Sequence, residues 1–320
     1  MNCITERASW ISRLARKFFV KINWSNLRQE DQVTIHVFVC NLNNVALVEW
    51  FIIQIFNPNC FYSCALVLRK IESNYVSETS QFHHIVDLVP HMNITGLYTI
   101  IQWKYNVIDA LHLDRDIVEY SMNYLSRHIN KRYASEQEVF SIQEFRLASL
   151  TCLFIAIKIH GSIKINANII SKLNSNCSVN EICDYEVLIL KTLKFKLYQP
   201  TICSYLYQLL CVWNITNDNV INFALYLAQL SVFDPSLMHQ NCNKLSLAVA
   251  IIFVSMEKCS LSCMNADGLL QLEKFEEQIM PFVHELDVGM TEIHNNLNIV
   301  CKLSTENNFD HKMKVGCIKT

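Results

Sequence analysis

Ser141–Gly161, SIQEFRLASLTCLFIAIKIHG, is the stretch whose reading decides the fold. Ser141, with Glu144 three residues on, has the form of a capping box, in which each side chain satisfies a backbone N–H that the first helical turn leaves without a partner. From Leu147 to Ile159 nearly every residue is apolar, and the small Ala148, Ser149 and Ala156 are interleaved so that neighbouring helices can come close. A helix apolar on all sides belongs in the middle of a bundle. Lys158 is the one charge late in the run and is expected at the surface. Gly161 stands where a left-handed C′ residue would close the last turn.

Outward from this hub the pattern is helical in both directions. Leu97, Ile100, Ile101, Trp103, Val107 and Ile108 recur at helical spacing over Ile94–Ala110. A second helix is expected from Asp114 as N-cap, through Ile117, Val118, Tyr124, Leu125 and Ile129, with a polar loop from Asn130 to Val139. After the hub come a short helix, Ala167–Leu173, and a fifth that opens on a second capping box, Ser178 and Glu181. Beyond Gln199-Pro200-Thr201, apolar-periodic segments fall near 201–213, 218–233, 243–258, 267–287 and 290–302. The run KLSLAVAIIFVSM, Lys244–Met256, can be laid on RLASLTCLFIAIK, Arg146–Lys158. The reading is all-α: two tandem five-helix bundles, each around one buried middle helix, with an N-terminal extension. Its parts are an extension over 1–79, a first bundle over 80–198, a second over 199–303 and a polar tail over 304–320.

Composition agrees. Only 5 Gly and 5 Pro occur in 320 residues, too few for the turns of a sheet-rich fold or for a phosphate-cradling loop. No GxGxxG, Walker-type loop, HExxH or GxSxG occurs, and no nucleophile, base and orienting group stand at a recognisable spacing, so no catalytic residue and no cofactor are assigned. A formal charge of −2 argues against nucleic acid as the main partner, because binding to phosphates rewards a basic excess. The 14 Cys include no CxxC; Cys60/Cys64 and Cys259/Cys263 have one-turn helical spacing, and His83 and His84 have no Cys nearby. Reduced, buried thiols are expected, with a zinc or redox site as the alternative, and no metal ligand is assigned.

The first part of the chain is harder to read. Arg7 to Arg28 forms a basic amphipathic pattern around Trp10, Ile11, Leu14, Phe18 and Phe19, which suits a membrane surface, a transit signal or a helix packed on its own domain; the last is preferred. Val33 to Leu68 is apolar but is broken by His36, Asn41, Asn43, Asn44, Glu49 and Asn57-Pro58-Asn59, so no run reaches the ~18–20 residues that a spanning helix needs. Asn93-Ile94-Thr95, Asn176-Cys177-Ser178 and Asn214-Ile215-Thr216 match glycosylation acceptors and are read as chance matches.

Four pieces, in order, carry a resemblance: Trp103 in the first helix, YLSRHI at Tyr124–Ile129, LTCLFIAIK at Leu150–Lys158, and YEVLILKTLKFKL at Tyr185–Leu197 followed by Pro200-Thr201. Together they resemble a cyclin, over roughly Ser80 to Leu303 and most clearly between Trp103 and Thr201. The resemblance implies two cyclin-like boxes and a non-catalytic regulatory subunit. Such a subunit binds and activates a cyclin-dependent serine/threonine kinase in cell-cycle control, as a heterodimer with it, in the nucleus and/or cytoplasm. It implies that Lys158 and Glu186 lie side by side and grip the kinase's mobile regulatory helix, accompanied by Ile159, Leu190, Phe195 and Leu197. Without the resemblance, Lys158 would read as a helix-end lysine over C-terminal carbonyls and Glu186 as a solvated residue.

The chain also departs from the family pattern. The Asp of the usual Asp-Arg pair is Ser126, with Arg127 kept, and the helix-1 Arg that would meet it is Leu97, so both halves of a buried pair are absent together. His160 and Gly161 stand where acidic residues often follow the middle-helix lysine. In the groove with which some cyclins dock substrates, Ile100 and Trp103 remain, Gly96 and Thr99 shrink the apolar patch, and Arg146 occupies the Gln position, so docking of basic motifs is not expected. An inactive cyclin-fold scaffold and a transcription-factor-type adaptor are the alternatives. The adaptor would call for a basic face on the second box or a zinc ribbon ahead of the first, and neither is seen.

Overall fold

The structure, a computed structural model, describes residues 68–69, 71–72, 88–90, 92–136, 139–173, 177–213, 215–234, 237, 243–263, 277 and 290–305. Among the described residues there are nine α-helices and no strand. The basic segment Arg7–Arg28, the apolar stretch as far as residue 67, Cys60, Cys64, His83, His84, the segment 267–287 apart from Glu277, and the tail after Thr305 lie outside them.

The first bundle is α1 (Ile94–Ala110), α2 (Asp116–Glu136), α3 (Ile142–His160), α4 (Ala167–Leu173) and α5 (Val179–Thr192). Every residue of α3 from Ala148 to Ile157 is buried, and α2, α4 and α5 pack around it, with α1 against α2. A fully buried aliphatic or aromatic side chain contributes about 1.5–3 kcal/mol relative to exposure, so drawing α3 out of the bundle would expose many at once. The second bundle repeats this with α6 (Ile202–Val212), α7 (Asp218–Ser231), α8 (Lys244–Cys263) and α9 (Met290–Thr305). Here α8, buried throughout from Lys244 to Ile252, is enclosed by α6, α7 and α9, as its overlay on α3 predicts.

The joint between the bundles is polar. Both carboxylate oxygens of the buried Glu119, on α2, accept the Ile202 N–H that opens α6, at 3.1 and 3.0 Å. Lys244 pairs with Glu119 at 3.1 Å and donates to the Pro200 carbonyl at 2.8 Å. Glu72 accepts the Tyr205 hydroxyl at 2.8 Å. Burial pushes the Glu72 and Glu119 carboxyls above the usual range, and the Lys244 ammonium pulls both back. A second tie is Arg115, which grips Asp109 through two bonds of 2.8 Å and donates to Gln229 Oε1 at 2.6 Å. Tyr105 adds a bond to the Gln229 carbonyl and stacks on Phe233. Removing one member of such a buried set leaves its partner desolvated, so the joint is specific in geometry.

Several local expectations change. The polar run after Ile129 is not a loop: α2 continues to Glu136, because Asn130 donates to the Ser126 carbonyl at 2.9 Å and Arg132 pairs with Glu144 of α3 at 2.5 Å. The first capping box is half formed. Ser141 accepts the Glu144 N–H at 3.1 Å, but the Glu144 carboxylate turns to Arg132 and the Tyr185 hydroxyl. The box at Ser178 and Glu181 is complete. Gly161 is extended (φ −76°, ψ 157°), not left-handed. It is glycine for lack of room, since a Cβ there would meet the Ile157 carbonyl oxygen at 2.5 Å. The final helix runs past the expected boundary, to Thr305.

Lys104 on α1 is the unexpected interior residue. Its ammonium is fully buried, donates to Ser121 Oγ at 2.8 Å and lies 3.3 Å from Met122 Sδ, and among the described residues no carboxylate pairs with it. Burial lowers its pKa to about 8, an effect that the neighbouring Cys152 slightly offsets. The unfolded chain therefore holds this proton more tightly than the folded one between about pH 8 and the ordinary lysine value, and stability rises with pH across that window. Below the window the penalty is fully present, on the order of 3 kcal/mol. Lys104→Met is expected to stabilise the chain at pH 7 by up to that amount, with the gain shrinking as pH is raised to 10; urea unfolding at the two pH values checks it, and a gain independent of pH would contradict it.

Candidate functional site

Two helices of the first bundle bring the expected pair together. Lys158 lies in the last turn of α3, at the first position where the helix leaves the core, and Glu186 lies midway along α5. The Lys158 Nζ donates to Glu186 Oε1 at 2.6 Å, with side chains 41% and 15% exposed respectively. The ammonium also sits 4.8 Å above the buried Phe154 ring. An exposed ion pair stabilises a fold by only ~0–1 kcal/mol, so the stability of the bundle does not explain it. Two ammonium protons and Glu186 Oε2 remain without a partner among the described residues. The pair therefore offers side by side donors for the unpaired C=O groups of a helix C-terminus and an acceptor for the unpaired N–H groups of a helix N-terminus.

α5 is held against α3 from below. The Tyr185 hydroxyl donates to Glu144 at 2.9 Å, and Glu144 is the carboxylate that Arg132 holds from α2. His128 packs edge-on to Tyr185 and Phe140. Burial, helped by Arg132, lowers the His128 pKa to about 3, so the ring stays neutral at physiological pH. Glu186 thus follows directly on a residue tied to both neighbouring helices.

Past Thr192, α5 ends in a Schellman turn: the Phe195 N–H bonds the Leu190 carbonyl and the Lys194 N–H bonds the Lys191 carbonyl, both at 3.0 Å. Position C′ needs a left-handed residue, usually Gly, yet Lys194 (φ 52°) and then Phe195 (φ 55°) occupy that region. A left-handed L-residue costs about 1–2 kcal/mol. The result is a Phe195 side chain 66% exposed beside the ion-pair helices.

Of the other expected residues, Ile159 and Leu190 are half-buried against the core beside the pair. Leu197 is buried, and what it offers is its carbonyl, which accepts the Tyr124 hydroxyl at 2.7 Å. Ile100 and Trp103 are half-buried on α1 and Arg146 is exposed in the first part of α3. Among the described residues no hydrogen bond, ion pair or ring contact joins Arg146 to either. Leu97 and Ser126 are both buried, and the guanidinium of Arg127 donates to the Lys196 carbonyl at 2.8 Å.

Sequence reasoning missed most of the exposed apolar surface. Val187 and Leu188 on α5, Tyr198 after it, Ile163 before α4, and Ile169 and Leu173 on α4 are all exposed. The signal was present: on α5 the buried stripe is Ile182, Ile189 and Leu193, and Val187 and Leu188 fall off it. Among the described residues, the large exposed apolar side chains outside this region are Ile94 and Val139 alone.

Among the described residues, Cys152, Cys177, Cys183, Cys203, Cys259 and Cys301 form no disulfide with one another. Among the described residues no group of three or more His, Cys, Asp or Glu could hold a metal, and no helix is long and apolar enough to cross a membrane.

Residues 64–198 match the family model of the cyclin N-terminal domain. The fold is similar to that of a viral cyclin from herpesvirus saimiri, with a TM-score of 0.55 and 14% identity over 75% of this chain and 97% of that one. A chain of the CAK complex from Chaetomium thermophilum bound to ATP-γ-S is similar at a TM-score of 0.46 and 12% identity, over 81% of this chain and 82% of that one, too weakly to carry an argument. No curated protein matches the sequence.

Replacing Lys194 by glycine is expected to relieve the left-handed strain and raise the unfolding free energy by roughly 0.5–1 kcal/mol. Urea denaturation measures it. A loss of stability would contradict a left-handed conformation at this position.

Proposed function

We propose that this chain, which belongs to the cyclin family through its residues 64–198, is a non-catalytic subunit that binds a cyclin-dependent serine/threonine kinase and activates it in cell-cycle control. The observation that carries the reading is the Lys158–Glu186 bond of 2.6 Å set among exposed apolar side chains. Lys158 and Glu186 take the kinase's mobile regulatory helix, with Ile159, Leu190 and Phe195 beside them. Leu197 acts from inside, through the backbone it anchors.

The physical logic is differential affinity. Phosphoryl transfer is fast only when the kinase's Lys–Glu ion pair and its metal-binding Asp are aligned, and both depend on where the regulatory helix sits. A rigid surface that fits the active position better than the inactive one shifts the population toward it. Each factor of ten takes about 1.4 kcal/mol, within reach of a few desolvated contacts. A pair already formed in the free chain spends little ordering entropy on docking.

His160 and Gly161 favour a second reading, a scaffold that binds a kinase without activating it, because they supply no carboxylate to the partner. Affinity capture followed by a kinase assay separates the two. The activator reading expects bound kinase with phosphoryl-transfer activity, and at least a tenfold loss of binding in Lys158→Ala/Glu186→Ala with unfolding stability changed by less than about 1 kcal/mol. Binding unaffected by the double change would contradict the assigned surface, and binding without activity would favour the scaffold.

Substrate recruitment through α1 is a separate matter. The positive Arg146 opposes a basic docking motif, so an arginine-leucine docking peptide is expected to bind more weakly than micromolar in a titration at physiological salt. Micromolar or tighter affinity would contradict this.

A further inference from the structure

We infer that His160 is a positioning residue: its imidazole, clasped by three tyrosines, locks the end of α3 that carries Lys158 to the chain leaving α5 that carries Phe195. The ring lies flat on Tyr120, centroids 3.6 Å apart and planes 8° from parallel, and meets Tyr198 edge-on at 5.7 Å. Its Nε2 is 2.7 Å from the Tyr124 hydroxyl oxygen. That hydroxyl has one proton, and it donates it to the Leu197 carbonyl at 2.7 Å. The hydroxyl is therefore an acceptor toward His160, and Nε2 carries the hydrogen.

The connectivity gives this cluster its consequence. Tyr124 and Arg127, one turn apart on α2, hold the successive carbonyls of Leu197 and Lys196. Those residues directly follow the left-handed Phe195. His160, two residues beyond Lys158, bonds to the same Tyr124 and lies against Tyr198 on the same strand of chain. Beyond it Gly161 allows no Cβ, its N–H being bonded to the Ile157 carbonyl at 2.8 Å. Through one tyrosine, then, the ammonium on α3 and the exposed phenylalanine after α5 are held in register. Where related chains place a carboxylate after the lysine, this one places a ring that faces its own tyrosines, so its contribution is geometric.

The test uses the full chain with His160→Phe, which keeps the ring and loses the N–H, and His160→Gln, which keeps an N–H and loses the ring. In the free chain, the amides of Phe195 and Lys196, bonded to the Leu190 and Leu193 carbonyls at 3.0 Å, should exchange hydrogen about tenfold faster in both variants, with α8 unchanged. The partner readout rests on the kinase-regulating reading. With the captured kinase as probe, each variant should bind about fivefold more weakly, yet add less than about twofold to Lys158→Ala, since it acts through the lysine. Unchanged exchange at Phe195 and Lys196, or losses of binding that simply add, would overturn the inference. If the wild-type chain binds no kinase, the functional reading falls, and the exchange result alone supports or overturns the role of His160.

Discussion

A helix with no polar side can leave its charge only at its ends, and that constraint on α3 organises the first bundle. Ten consecutive residues, Ala148 to Ile157, touch neighbours on every side. The first charged residue after them, Lys158, therefore emerges at a place fixed by packing, not by its own preferences. The Lys158 ammonium also suits the negative end of the helix dipole. Glu186 meets Lys158, and the His160 cluster stands two residues on, because α2, α4 and α5 close around the same core.

The chain uses one kind of interaction for two ends. Glu119–Lys244 is a buried ion pair whose oxygens and ammonium also serve backbone groups at the start of α6, and it fixes how the bundles meet. Lys158–Glu186 is the same chemistry at the surface, where it adds little to stability but keeps donors and an acceptor available. Burial decides the difference. Lys104 shows the third case, an ammonium buried among neutral partners, which shifts its protonation and makes stability depend on pH.

Much of this was legible in the sequence, and the failures share a cause. α1 and α4 have the bounds that periodicity predicted, and the capping box at Ser178 formed, because those signals are local. Lys158 and Glu186 were found through family resemblance, which encodes a pairing that spacing alone cannot show. The end of α2 was missed because Asn130 and Arg132 look like loop residues until Ser126 and Glu144 are seen to bind them. Glu144 and Gly161 have the right residue types for caps, but one was drawn to Arg132 and Tyr185 and the other is required by crowding. His160 read as a lost charge, since Tyr120, Tyr124 and Tyr198 are distant in sequence. Val187 and Leu188 were passed over as surface residues because their helix was legible in the sequence but its rotation was not.

The most direct measurement is hydrogen exchange across the whole chain, free and bound to a cyclin-dependent kinase. Protection on binding should concentrate at the C-terminal turn of α3, along α5 and at Phe195–Tyr198, with α7 and α9 unaffected. Protection centred on the second bundle, with the Lys158–Glu186 region exchanging as in the free chain, would contradict the account.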